Sequence, residues 1–387
     1  MNIRKLLAAL AVFALLASAC GSDDSSDTSA SGSGSESATA TADDGSDDTG
    51  SDDAADDGED TMDDEEESAA AGPCESPYGT DFVCDLEANE EYLVGVSLQQ
   101  QKANFWVSVK SGSTDAAVRA AAAEPTFADA NSEDDKQLND VKNMIASGID
   151  GLVLGATNSG SAVGIAEEAI AAGIPVVAVA LQIGDPAVFG GQHVYEGTLA
   201  LVTNDDKDMG AKAAQFVQQV AADADGPLNI VILQGTPGTS NATLRDEGFK
   251  EALDELGIDY EITNEQTGRF KREEAQVACD NMLAADYSID LIYSHSDEMT
   301  IGCVTSMESA GRTDIPVASI GGNTEGIALV ANGSVLGTVC QKPATMGAVA
   351  TQLIIRHLNG ESIPAEPFFY ETPTITAENL DDCVPEW

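Results

Sequence analysis

From Tyr92 onward, short apolar runs of strand length alternate with segments of helical periodicity. The apolar runs lie at 92–96, 151–155, 174–179, 229–233, 290–293 and 315–320. The helical patterns between them include 105–122, 161–171, 276–284 and 346–357. Continuous apolar strands separated by helices are typical of parallel sheets that helices cover on both faces. About ten strands in roughly 300 residues therefore predict an α/β fold of two doubly wound, Rossmann-like lobes rather than a single sheet.

The first 20 residues have the order of a secretory signal peptide. Arg4 and Lys5 precede an apolar run at 6–16, and three small residues at 17–19 stand before Cys20. The apolar run is too short to span a bilayer. A cysteine directly after the cleavage region is typical of bacterial lipoproteins, so we expect Cys20 to be lipidated and to hold the protein at the outer face of the cytoplasmic membrane or in the periplasm. The small residues also suit ordinary signal peptidase, which would leave a free secreted protein.

Residues 21–72 differ in composition from the rest of the chain. They hold 19 of its 67 acidic residues, no Lys or Arg, and no aromatic, Leu, Ile or Val residue. Such a segment buries too little apolar surface to offset the entropy of ordering, so it is predicted to be a disordered tether. The rest, 73–387, is long enough for two lobes that each have a core. Its own strong excess of acidic residues disfavours binding to nucleic acid or anionic lipid and leaves the lipid anchor as the membrane contact.

Six cysteines follow Cys20 in the chain. They are Cys74, Cys84, Cys279, Cys303, Cys340 and Cys383. In an exported protein they indicate up to three disulfides, and although six cysteines allow 15 connectivities, the simplest pairing follows chain order. A zinc site is the competing interpretation. The sequence disfavours it because it has no close Cys-x-x-Cys spacing and only three His residues, so no metal is predicted.

Several loops after the predicted strands carry motifs in a characteristic order. The motifs are Leu233-Gln234-Gly235-Thr236-Pro237-Gly238-Thr239-Ser240 with Arg245-Asp246-Glu247-Gly248-Phe249, Ser296-Asp297-Glu298-Met299 with Gly302, Gly321-Gly322-Asn323, and Gly337-Thr338-Val339-Cys340-Gln341. From about Tyr92 to Tyr370 the chain resembles the type I periplasmic binding proteins, in particular the ribose-binding-protein-like sugar receptors of ABC transporters.

The resemblance implies a domain organisation. It implies two lobes that three hinge crossings join, and we expect these crossings near 203–206, 320–324 and 341–343. The N-terminal lobe is expected to comprise 73–204 and 342–370, and the C-terminal lobe 205–341 and 371–387.

The resemblance also implies a sugar pocket between aromatic rings of the two lobes. The C–H face of a sugar stacks on a ring, while its hydroxyl edge needs planar donors and acceptors. The positions here that match the family's ligand-binding aromatic and polar residues, or directly follow them, are Phe105, Trp106, Gln182, Arg245, Phe270, Ser296, Asn323 and Gln341. Asp297 is expected to cap the helix that follows it rather than to contact ligand.

One departure from the family pattern concerns charge. The family's Asp-Arg pair is replaced by Ala180 and Leu181, and an insertion follows through about Glu196. Arg245 is thereby left without an obvious counter-charge, which a buried Arg needs. The alternatives are a ligand that carries a carboxylate, such as a sugar acid, a ligand less hydroxylated than ribose, or a pocket refilled by Gln192, His193 or Tyr195 of the insertion.

Motifs and charge distinguish between an enzyme, a repressor and a binding protein. The sequence contains no nucleophile elbow, phosphate-binding loop or zinc-protease motif, so neither an enzyme nor a cofactor is predicted. Sugar-responsive repressors share the lobe architecture but need a basic helix-turn-helix where this chain has a signal peptide and an acidic tether. The resemblance implies an exported binding protein that closes on a sugar or sugar-like small molecule and delivers it to an ABC permease. A receptor that reports its ligand to a membrane signalling partner is the alternative.

Overall fold

A computed structural model describes residues 78–79, 81–285 and 288–387. The predicted signal peptide, the lipidation at Cys20, the tether at 21–72 and Cys74 lie outside the described residues. Within the described residues, strands and helices alternate from residue 94 to residue 358, as the apolar pattern predicts, except that two helices follow each other at 206–222.

Twelve strands and eleven α-helices are found in the described part of the chain. The strands are β1 (Val94–Leu98), β2 (Thr126–Asp129), β3 (Gly151–Gly155), β4 (Val176–Val179), β5 (Ala200–Thr203), β6 (Leu228–Gln234), β7 (Tyr260–Thr267), β8 (Leu291–Ser294), β9 (Val317–Gly321), β10 (Gly337–Cys340), β11 (Pro367–Phe369) and β12 (Thr374–Ile375). The helices are α1 (Asn104–Arg119), α2 (Asp134–Ser147), α3 (Ala162–Ala171), α4 (Pro186–Phe189), α5 (Asp206–Gln215), α6 (Gln218–Ala222), α7 (Ser240–Glu255), α8 (Arg272–Ala284), α9 (Asp297–Ala310), α10 (Thr324–Ala331) and α11 (Pro343–Leu358). A short 3₁₀ helix spans Leu380–Asp382.

The strands form two six-stranded sheets, one in each lobe. The first has the order β11-β5-β4-β3-β1-β2 and all its pairs are parallel. The second has the order β12-β10-β9-β8-β6-β7, and its pairs are parallel except that β12 runs antiparallel to β10. This is the predicted α/β architecture of two doubly wound lobes.

Both faces of each sheet are covered, which explains why the strands are apolar throughout. In β3, Val153 packs into the core beneath α1 and α11, whereas its neighbours Leu152 and Leu154 point to the opposite core beneath α2 and α3. The second sheet alternates in the same way along β6, with Ile230 and Ile232 on one face and residues 231 and 233 on the other. Alternate side chains of a strand point to opposite faces, so a strand buried on both faces needs an apolar residue at nearly every position.

The chain crosses between the two lobes three times. The first crossing lies between β5 and α5, and the second between β10 and α11. The third follows β11, at 370–373, because β11 belongs to the first sheet and β12 to the second. The expectation of a crossing at 320–324 is wrong: those residues join β9 to α10, and both elements pack in the second lobe.

Two disulfides lie in the second lobe. The structure pairs Cys279 with Cys303, which joins α8 to α9, and Cys340 with Cys383, which fixes the segment after the 3₁₀ helix to the end of β10. These are the pairs that chain order predicts. Cys84 is also disulfide-bonded. Among the described residues, no helix has the length and apolar character needed to cross a bilayer.

Candidate functional site

A pocket lies between the two lobes, where loops leave the carboxyl ends of the strands. Its volume is about 50 Å³. The residues that line it are Gln99, Gln100, Ala103, Phe105, Trp106, Ala180, Asn204, Asn241, Arg245, Phe270, Ser296, Glu298, Gln341 and Trp387. In open α/β sheets this edge is where ligands bind, because the loops there are free to vary while the sheet holds them in place.

Six of the eight ligand-binding positions predicted from the sequence line this pocket. They are Phe105, Trp106, Arg245, Phe270, Ser296 and Gln341. Gln182 lies outside the lining: its side-chain Nε2 donates to the carbonyl of Gly184 at 2.9 Å. Asn323 also lies outside it, because its Oδ1 caps α10 by accepting from the Gly326 N–H at 2.6 Å.

The first lobe contributes two aromatic rings from the start of α1. The rings of Phe105 and Trp106 meet edge to face with centroids 5.2 Å apart. The indole Nε1 of Trp106 donates to Oε1 of Gln99 at 3.1 Å, which fixes the ring orientation. The large ring fits because residue 155 is Gly; a Cβ there would lie 2.6 Å from the Trp106 ring.

The second lobe contributes Phe270 from the turn after β7. The backbone of Phe270 is in the left-handed region, with φ 57°. The centroid of its ring lies 5.7 Å from the guanidinium carbon of Arg245. Residue 235, at the end of β6, is Gly, and a Cβ there would come within 2.0 Å of the ring. Gly235 therefore provides the space that the Phe270 ring occupies in the pocket wall.

Arg245 has a buried counter-charge. Its Nη2 and Nε lie 2.9 and 3.0 Å from Oδ1 of Asp206, and its Nη1 donates to the carbonyl of His295 at 2.7 Å. The expectation that Arg245 has no partner, and with it the argument for a carboxylated ligand, is therefore wrong. Asp206 begins α5 just past the first crossing, and the motif comparison did not single it out.

The insertion stabilises this ion pair through hydrogen bonds from Gln192. Gln192 donates from Nε2 to Oδ2 of Asp206 at 3.1 Å and to the carbonyl of Asn204 at 2.7 Å, while its Oε1 accepts from the Asp206 N–H. Gln192, His193 and Tyr195 are not among the lining residues. The insertion therefore orients a charged residue of the site instead of refilling the pocket.

Burial and nearby charges shift the pKa values of two groups beside the pocket, Asp206 and His295. Burial raises the pKa of Asp206 above its ordinary value, and the Arg245 guanidinium opposes that shift. Burial, with the positive charges of Arg245 and Lys250, lowers the pKa of His295 well below its ordinary value. Because Nδ1 of His295 accepts from the Gly235 N–H at 3.3 Å, the ring is neutral in the folded protein.

The first turn of α9 places the carboxylate of Glu298 at the pocket. Ser296 is the helix cap and accepts from the Met299 N–H, so the expectation that Asp297 is the cap is wrong. Asp297 is instead buried and bonded to Ser319, Thr338 and the N–H groups of the β9–α10 turn. Glu298 lines the pocket, and its carboxylate pairs with Arg272 at 3.2 Å.

Two lining residues that the motifs did not single out carry unpaired polar atoms. Oδ1 of Asn204 and Nε1 of Trp387 are buried and have no hydrogen-bond partner within the described residues. A buried polar atom without a partner is costly, so such atoms facing a pocket indicate where a ligand is expected to bind. Asn204 directly follows β5, and that position was the available sequence signal; nothing in the sequence pattern marks Trp387.

Comparisons with known proteins agree with this architecture. A periplasmic binding protein domain matches residues 94–362. The ribose import binding protein of Bacillus subtilis is 28% identical over 276 residues, which cover 71% of this chain and 84% of that protein. The xylitol-binding protein of Mycolicibacterium smegmatis is 27% identical over 299 residues, covering 77% and 81%.

A solved structure shows the same fold. It is the periplasmic binding protein component of the arabinose ABC transporter from Shewanella sp. ANA-3, bound to α- and β-L-arabinofuranose. Its TM-score is 0.67 at 25% identity, with 75% of this chain and 93% of that chain covered. All three of these similar proteins are binding proteins. The family match covers more than half of the sequence and coincides with the two-lobed fold, so this chain belongs to the periplasmic binding protein family.

Proposed function

We propose that this protein binds a neutral sugar or polyol of monosaccharide size between its lobes and delivers it to an ABC permease. The observation that carries the proposal is the composition of the pocket. Aromatic rings from both lobes face one cavity, and the buried guanidinium in its wall is already paired with a carboxylate. Such a site offers flat apolar surfaces and hydrogen bonds without an excess of positive charge, which suits an uncharged, polyhydroxylated ligand.

The polar groups of the pocket suit hydroxyl groups. The bonds to Asp206 and His295 use three of the five N–H groups of Arg245, so the others are available to a ligand. Oδ1 of Asn204 is an acceptor without a partner in the described residues. A sugar hydroxyl donates one hydrogen bond and accepts others, so adjacent hydroxyls can use both groups.

The charge of the pocket argues against a sugar acid. Both charged residues of the lining are already paired, Arg245 with Asp206 and Glu298 with Arg272. A ligand carboxylate would therefore enter without a free counter-charge and would lose its hydration. The cavity of about 50 Å³ also favours a single ring over an oligosaccharide, since one water needs about 10–15 Å³ measured in this way.

The similar proteins support the ligand class. Their names state ribose import, xylitol binding and arabinose transport. We propose that Phe105, Trp106, Phe270, Arg245, Ser296 and Gln341 contact the ligand, with Asn204 as an additional acceptor.

Binding is proposed to close the two lobes on each other. Contacts to a ligand from both lobes favour the closed state, and the three crossings are the segments that absorb the change. The lobes are proposed to comprise 73–204 with 342–370, and 205–341 with 371–387. The permease would then recognise the closed shape.

Export and anchoring complete the proposal. The signal-like first 20 residues and the position of Cys20 support export and lipidation. The acidic segment at 21–72 would link the anchor to the lobes. Incorporation of a radiolabelled fatty acid, lost in a Cys20→Ala variant, tests the anchor.

A thermal-shift panel tests the ligand class. We expect purified protein to melt at a higher temperature with at least one of D-ribose, D-allose, L-arabinose, xylitol or myo-inositol. A ligand that binds only the folded state stabilises it by about 2.7 kcal/mol at one hundred times its dissociation constant. A shift with sugar acids alone, such as D-ribonate, or with no member of the panel, would contradict the proposal.

A further inference from the structure

The last residues of the sequence lie across the join between the two lobes. The Cys340–Cys383 disulfide ties them to the second lobe. The Glu386 carboxylate accepts from the N–H of Thr345 at 3.1 Å and from its Oγ1 at 2.6 Å, at the start of α11 in the first lobe. The carbonyl of Glu386 accepts from Oγ of Ser108 on α1 at 2.7 Å. We call residues 384–387 the closing segment.

Trp387, in the closing segment, is part of the pocket wall. Its ring meets the ring of Phe105 edge to face, with centroids 5.4 Å apart. Its carbonyl accepts from the N–H and from Oγ1 of Thr324, at 3.0 and 3.1 Å, at the start of α10. Trp387 is thus held from both lobes, its ring by Phe105 of the first lobe and its carbonyl by Thr324 of the second.

The indole N–H of Trp387 is buried and has no partner among the described residues. The other tryptophan of the pocket differs, since Trp106 donates to Gln99. A buried donor without an acceptor costs about 1–3 kcal/mol, and an anchored segment that keeps one at a pocket suggests that a ligand supplies the acceptor.

We propose that Trp387 is a ligand-contacting and specificity-determining residue: its ring closes one side of the pocket, and its Nε1–H donates to a hydroxyl oxygen of the bound sugar or polyol. This inference rests on the proposed function and names a further part of the same site. Trp387 lies beyond the family match, which ends at residue 362.

The first test is the affinity of Trp387 variants for the panel sugar that binds the unchanged protein most tightly. Trp387→Phe keeps an aromatic ring and removes the donor, so we expect an affinity about three- to tenfold lower. Trp387→Ala also removes the ring, and a loss of about thirtyfold or more is expected. Val384→Ala is the matched control, because Val384 lies in the same segment with 74% of its surface exposed, and its affinity should equal that of the unchanged protein.

The second test reads Trp387 directly. The sequence contains two tryptophans, at 106 and 387, so Trp106→Phe leaves Trp387 as the sole tryptophan. We expect its emission to change on saturation with the same sugar, since a bound hydroxyl would accept a hydrogen bond from the indole N–H and alter the polarity around the ring. The melting temperature of every variant is measured in parallel, so that loss of folding is recognised.

The outcomes separate the two proposals. If the unchanged protein binds no sugar or polyol of the panel, the proposed ligand class is overturned, and the donor role falls with it. If the unchanged protein binds but Trp387→Phe and Trp387→Ala bind within twofold of it, the proposed function stands and the role of Trp387 is overturned. The role of Trp387 is also overturned if calorimetry shows that the Trp106→Phe variant binds the sugar while its Trp387 emission at saturation stays unchanged.

Discussion

Asp206 and Arg245 form an ion pair that is almost wholly removed from solvent. Nη2 of Arg245 lies 2.9 Å from Oδ1 of Asp206, and the side chains of Arg245 and Asp206 are 4% and 1% exposed, respectively. The pair joins the first turn of α5 to α7, and these two helices pack closely on each other. Arg245 also lines the pocket, so its charge is already balanced at the place where we propose that the ligand binds.

Removal of Asp206 should destabilise the protein strongly. Asp206→Ala leaves the Arg245 charge buried without a partner, which costs about 3–5 kcal/mol of unfolding free energy. Equilibrium unfolding in urea measures this loss. Glu251→Ala is the matched control, because it breaks the pair of Lys207 and Glu251, whose side chains are 47% and 58% exposed, and should cost less than about 1 kcal/mol. Equal losses in the two variants would show that Asp206 does not act through a buried charge.

His295 should make stability depend on pH below neutrality. Burial, together with Arg245 and Lys250, lowers its pKa in the folded state well below its ordinary value of 6.5. Below that value the unfolded chain binds a proton that the folded protein does not, so this contribution is present above pH 6.5 and is lost as the pH falls. The unfolding free energy of the unchanged protein should therefore fall more steeply between pH 7 and pH 5 than that of His295→Gln. The largest difference in slope is about 1.4 kcal/mol per pH unit. Parallel curves for the two proteins would contradict the assignment of a buried neutral imidazole.

Two glycines that flank β6 should differ in their effect on binding. A Cβ at residue 235 would lie 2.0 Å from the Phe270 ring, so Gly235→Ala must displace that ring from the pocket. We expect sugar affinity to fall by about tenfold as the stacking contact is lost. Residue 226, just before β6, has open space around it, so Gly226→Ala should bind as the unchanged protein does. Calorimetric titration of both variants decides this, and equal affinities would remove Phe270 from the site.

Removal of either disulfide of the second lobe should lower stability, but only removal of one of them should weaken sugar binding. Replacement of either pair by alanine should cost about 2–4 kcal/mol, because each bond closes a long loop in the unfolded chain. Cys340→Ala with Cys383→Ala also frees the closing segment, so this variant should bind sugar more weakly. Cys279→Ala with Cys303→Ala lies away from the pocket and should keep full affinity. If the two double variants bind alike, the anchoring of the closing segment has no role in binding.

The fold could be predicted because burial on both faces of a sheet leaves a direct mark on the sequence. Runs such as 151–155 and 229–233 are apolar at nearly every position and lie within or closely overlap strands of the structure. The expected list of hinge crossings omitted 370–373, although the expected lobe bounds change there. The flanking strands β11 and β12 are only three and two residues long and carry no such apolar pattern.

The site could be predicted in part. Phe105, Trp106 and Phe270 match the positions of the family's ligand-binding aromatic residues, and all three line the pocket. Asp206 and Trp387 were not found. Both act through contacts with residues distant in sequence, about 40 residues from Arg245 for the first and over 200 from Phe105 for the second. The first contact depends on how α5 packs on α7, and the second on how the closing segment lies against α1, and no local sequence pattern predicts either.

Isothermal titration calorimetry with a neutral sugar and its acid tests the ligand class most directly. We expect the best neutral ligand of the panel to bind at least about tenfold more tightly than the corresponding sugar acid, because Asp206 already neutralises Arg245. Binding of the acid with equal or higher affinity would show that Arg245 remains available to an anion and would contradict the proposed function.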